Sequence, residues 1–90
     1  MRFTRVGRVV YVSVDGEIAM GDNAWSTVTI GTLPNGLRPE MEVYFGLTVQ
    51  ASTAPVVLTV QADGTVLTRA LGGAVPGRSW AFGSGSYIVA

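Results

Sequence analysis

The reactive side chains are few. The 90-residue chain has no histidine, no cysteine and no lysine. Ser-His-Asp, Cys-His and lysine-based nucleophilic mechanisms are therefore impossible, and so is a Cys/His zinc site. The acids are Asp15, Glu17, Asp22, Glu40, Glu42 and Asp63. A pair of carboxylates can cleave a glycosidic bond, but Asp15 and Asp63 each precede a glycine and read as turn residues. Glu40 and Glu42 share one face of a strand, as solvated surface acids commonly do. We expect no enzyme, no cofactor and no metal.

Binding chemistry is better supplied. An aromatic ring offers an apolar platform for the C–H face of a sugar, while Asp, Asn, Glu and Arg bond its hydroxyls, the mixed lining that a small-ligand site needs. Trp25 follows "GDNA", so Asp22, Asn23 and Trp25 form a candidate polar-aromatic loop. Tyr44 falls on the outward face of its strand, where a sugar or a neighbouring subunit would meet it. Trp80 stands beside Arg78; it shares a face with Phe82, which reads as core because large aromatics dominate small interiors. Saccharide contact is the alternative for Trp80. Arg38 is held extended by Pro39, poised to pair with Glu40 or with a ligand phosphate.

The elements that must hold these residues are strands. In "MEVYFGLTVQA", residues 41–51, Val43, Phe45, Leu47, Val49 and Ala51 alternate with Glu42, Tyr44, Gly46, Thr48 and Gln50, the period of a half-buried strand. "VVLTVQADGTVLTRA", residues 56–70, reads as a hairpin turning at Asp63-Gly64. Upstream, "RVVYVSV" puts Val10, Val12 and Val14 on one face, with Asp15-Gly16 as a second turn. "WSTVTI" places Val28 and Ile30 inward. "RSWAF" and "SYIV" read as short strands joined by "GSGS". In "GTLPNGLRP", residues 31–39, Pro34 presets a turn and Asn35-Gly36 tolerates the left-handed region. No segment reads as a helix, so the chain is expected to be one all-β domain over residues 1–90, a small antiparallel β-sandwich or barrel of seven to eight short strands.

Charged residues make up 13% of the chain and the formal net charge is zero, a balance that favours association. A domain of this size buries only a little over ~60% of its unfolded surface; without disulfide or metal, idealised packing or oligomerisation remains, and the composition favours the second. Arg2, Arg5 and Arg8 cluster, but the neutral balance lacks the broad basic surface of a nucleic-acid binder. No stretch is long and apolar enough to span a membrane, and no signal-peptide pattern opens the chain.

The order of "RVGRVVYVSVDG", "GTLPNGLRP" with its alternating strand, "VQADGTV" and "GSYIVA" resembles the C-terminal head domain of bacteriophage tail receptor-binding proteins, across nearly the whole chain. Leu37 stands where that pattern more often has an aromatic ring, so no contact of its side chain carries over. The resemblance implies a homotrimer at a tail-fibre or baseplate tip, preceded by a neck or shoulder of the same protein, with Met1 starting an excised domain. It implies a virion protein that adheres to bacterial cell-surface saccharide outside the host cell. Two other functions stay open at this point: a trimerising cap with no ligand, and a glycan-cleaving tip.

Overall fold

The computed structural model describes residues 1–19, 25–50, 55–72 and 78–90. Among the described residues there are seven strands, one 3-10 turn at Asn35–Leu37 and no α-helix. The strands are β1 (Arg2–Val6), β2 (Val9–Ala19), β3 (Thr27–Thr32), β4 (Val43–Val49), β5 (Val56–Val60), β6 (Thr65–Ala70) and β7 (Arg78–Ile88). All pair antiparallel in the order β1-β2-β7-β4-β5-β6-β3. β4 is the corner: residues 43–47 pair with β5, whereas Thr48 and Val49 pair with Phe82 and Ala81 of β7. The sheet curls about this strand into a half-barrel, the barrel-like antiparallel architecture expected.

Alternation builds the core. Val10, Val12, Val14 and Ile18 of β2 join Val56, Leu58 and Val60 of β5, Val66 and Ala70 of β6 and Leu47 of β4 in one buried cluster. Val43, Phe45 and Val49 pack against it, as the period-two reading of this strand requires; Ala51 lies outside the described residues. Ile30 also packs on the core, and Val28 is half-buried. The Asp63-Gly64 turn forms with Gly64 at φ +93°. It is closed by bonds from Gln61 N–H to Thr65 O and from Gly64 N–H to Gln61 O, both 2.9 Å.

Three readings are corrected. Asp15-Gly16 is not a turn: β2 runs through it, paired with β7 from Val9↔Ile88 to Ala19↔Arg78. An 11-residue partner strand supplies a ladder for Asp15 and Gly16, so the local turn preference gives way. The first turn is instead Gly7-Arg8, between the paired Val6 and Val9; Gly7 at φ +62° takes the first central position of a two-residue hairpin. The "GSGS" run is not a connection but the middle of β7. Gly83 and Gly85 point inward there, under Leu47 and Phe45, whose side chains fill the space that side chains on β7 would need. β2 and β7, each of 11 residues, are also longer than the short strands expected.

Asn35-Gly36 does not use the left-handed region either, since neither residue has positive φ. It lies in the 3-10 turn, where Leu37 N–H bonds Pro34 O at 3.0 Å. Leu37 packs on the core, and a tight right-handed turn delivers it there. The stretch is tied on every side. Leu33 N–H donates to Gly64 O at 2.8 Å, Tyr87 Oη donates to Leu37 O at 2.5 Å, and Arg5 Nη1 donates to Gly36 O at 2.8 Å. Buried Pro39 forms a bridge with Val89. This stretch is a fixed cap on one end of the half-barrel.

Candidate functional site

The outer face of β2 and β7 carries the most developed polar-aromatic group. Along β2 the inward valines alternate with outward Ser13, Asp15 and Glu17; along β7 the outward residues are Arg78, Trp80, Phe82, Ser84 and Ser86. The register sets Glu17 against Trp80, Asp15 against Phe82 and Ser13 against Ser84. Trp80 Nε1 donates to Asp15 Oδ1 at 3.2 Å, a diagonal cross-strand bond. Arg78 Nε donates to Glu17 Oε1 at 2.5 Å. The indole is thereby tethered at its polar edge while the ring stays 44% exposed.

Beside it lies a hollow of about 400 Å³ lined by Met1, Arg2, Ser13 and Asp15. Arg2 pairs with Ser13 across β1 and β2, so a guanidinium, a hydroxyl and a carboxylate line one recess. Asp15 joins the recess to the Trp80 ring. The arrangement offers donors, an acceptor and a flat apolar wall. Among the described residues no three His, Cys, Asp or Glu side chains gather as metal ligands.

Trp80 and Phe82 therefore face outward, which overturns the reading of their shared face as core. Both are 44% exposed. The inward positions of β7 include buried Tyr87 and the small residues Ala81, Gly83 and Gly85; Leu47 and Phe45 of β4 close over the two glycines.

The other expected residues fall elsewhere. Asp22 and Asn23 lie outside the described residues. Trp25 is 70% exposed and holds φ +64°, a backbone state uncommon away from glycine. Its ring lies over Gly72, whose Cβ position is 3.5 Å from Trp25 Cζ2. Arg38 is half-buried and extended at φ −83°, and it donates from Nε to Leu33 O at 3.0 Å. It makes no ion pair with Glu40, which instead stands 3.9 Å from Arg8. Tyr44 is exposed on the outer face of β4 and β5, opposite Thr59. Its hydroxyl bonds Glu42. That bond, with one from Gln61, holds the Glu42 carboxyl below the usual range, and the bond to Glu42 pushes the Tyr44 phenol up. Glu40 and Glu42 thus serve different partners.

Sequence reasoning missed Arg2, Ser13, Asp15 and Glu17. The signal was the alternation itself: continued from Val10 through Ile18, it places Ser13, Asp15 and Glu17 on one outward face. Among the described residues no helix is long and apolar enough to cross a membrane. No protein-family model and no curated protein matches this sequence.

Proposed function

We propose that this domain is a saccharide-binding head of the kind found at the tip of bacteriophage tail receptor-binding proteins, adhering to the host cell surface without catalysis. The observation that carries the reading is the Trp80 ring, exposed on the sheet and tethered to Asp15, beside the recess of Arg2 and Ser13. A pyranose stacked on the indole would set its hydroxyls against the carboxylate, guanidinium and serine. Both carboxylates at the ring are engaged, Asp15 by the indole and Glu17 by Arg78, which suits binding rather than proton transfer. Retention of the domain on purified cell-wall polysaccharide, lost on Trp80→Ala with melting temperature unchanged, tests it.

The same reading takes the domain to be a homotrimer. Val6, Val9 and Ile88 lie in register on the outer face, and Val6 and Ile88 are 63% and 56% exposed. An apolar row of this kind on a low-charge surface suits burial against a copy. That row also favours the second reading, a trimerising cap with no ligand. A trimer that retains no polysaccharide of any host would select it.

A further inference from the structure

Among the described residues the half-barrel is open along one seam, and strand parity says what fits there. Six antiparallel pairings separate β1 from β3 in the strand order, so these two edges run in the same direction. They cannot join as an antiparallel pair. One further strand, running opposite to both, would bond each edge and complete an eight-stranded antiparallel barrel, a size whose interior side chains alone can fill. Among the described residues β1 pairs only with β2 and β3 only with β6. Each edge leaves a row of backbone donors and acceptors without a strand partner, the template for strand addition.

The space between the edges has the matching chemistry. A cleft of about 570 Å³ opens along the seam, between β3 on one side and Phe3 of β1 with the end of β2 on the other; Phe3, Ile18, Ile30, Leu33 and Val66 are its apolar lining. Phe3 and Ile30 are only partly covered by the core they pack on. Glu17 and Arg78, paired with each other, also line it. Arg5 reaches across to Gly36 O at 2.8 Å, so its side chain bounds the groove at that end, where β1 meets the turn that follows β3. An apolar floor between two unpaired backbone rows is suited to an extended peptide more than to a compact ligand. A peptide alone satisfies both rows while sending every second side chain inward.

We propose that the β1–β3 seam is a docking groove for an extended segment of a partner polypeptide, which adds as an eighth strand antiparallel to both edges. Apolar residues at alternate positions face the cleft floor; the outward ones are polar. The site lies on the seam and does not depend on saccharide binding at Trp80.

The test uses the intact domain and two synthetic octapeptides. Both alternate valine with threonine between terminal lysines; one is N-methylated at every second amide. Binding is followed by NMR titration. The unmodified peptide is expected to bind saturably below millimolar concentration, shifting Phe3, Ile30 and Leu33 and slowing amide exchange in β1 and β3. Methylation should weaken it at least ~tenfold, since it removes backbone donors and leaves the apolar side chains. Trp80→Ala should leave the peptide's affinity unchanged. No saturable binding, equal binding of the two peptides, or shifts centred on Trp80 would each overturn the proposal. So would free protein in which the β1 and β3 edge amides are already protected.

Discussion

Phe45 occupies the space that a side chain at Gly85 would need: a Cβ built there would run into the Phe45 ring, and one at Gly83 would lie 2.6 Å from Leu47 Cδ2. The glycines of β7 are thus the complement of the large residues of β4. Gly85→Ala should destabilise the domain by about 1–3 kcal/mol through overpacking. Urea denaturation of Gly85→Ala, Phe45→Ala and the double variant checks the pairing. The double variant should lose less than the sum of the singles, because removing the ring frees the space. Strict additivity would place the two apart.

Gly64 makes a parallel case at the Asp63-Gly64 turn. Its φ is +93°, and an added Cβ would stand 2.7 Å from Leu33 O and from Arg38 Nε. Gly64→Ala should therefore cost about 1 kcal/mol or more, from backbone strain and from displacing the cap on residues 33–38. An alanine variant with unchanged melting temperature would contradict this account of the turn.

Tyr87 links β7 to the cap by donating to Leu37 O, and burial pushes its phenol above the usual tyrosine value. A folded-state pKa above the unfolded one means that this contribution is full below about pH 10 and is lost as pH rises through the folded value. Thermal melts should show stability falling in that alkaline window. Tyr87→Phe should flatten the fall while costing about 1 kcal/mol at neutral pH.

The acid limb has the opposite sign. The Thr65 backbone N–H donates to Asp63 Oδ1 at 2.9 Å, and bonds from Thr65 hold the Asp63 carboxyl below its usual range. Glu42 is lowered likewise by the Tyr44 hydroxyl and by Gln61. A depressed folded-state pKa gives stability present above the ordinary carboxylate pKa of about 4 and lost as pH falls through the folded values. Asp63→Asn combined with Glu42→Gln should reduce the slope of melting temperature against pH in that range.

Much of the fold was legible because alternation is a direct consequence of the pleat. Residues 41–49 and 56–70 show which face is buried without any tertiary information. What was not legible depended on partners. Asp15-Gly16 reads as a turn until β7 is long enough to pair across it, and Gly83–Ser84–Gly85 reads as a connection until Phe45 and Leu47 arrive above it. The same gap hid the candidate site. Trp80 and Phe82 point outward because the side chains of β4 cover the opposite face of β7, and Asp15 is available to the indole because it lies in a strand. Arg38 shows the converse, a candidate ligand group whose Nε is bonded to the backbone carbonyl of Leu33.

Sedimentation velocity at micromolar concentration addresses the trimer. The expected species has three times the 9.4 kDa mass of the chain. Val6→Lys and Ile88→Lys, singly or together, should shift it toward monomer by placing charge in the apolar row. A stable 9.4 kDa species for the unmodified chain would contradict the assembly.

The most direct test of saccharide adhesion is an array of bacterial surface polysaccharides probed with the unmodified domain, Trp80→Ala and Trp25→Ala. The account predicts a defined set of bound glycans, lost or weakened at least ~tenfold, about 1.4 kcal/mol, by Trp80→Ala. Trp25→Ala should keep the set, and both variants should keep the melting temperature and the assembly state. Absence of any bound glycan, or binding that survives Trp80→Ala and is lost with Trp25→Ala, would contradict it.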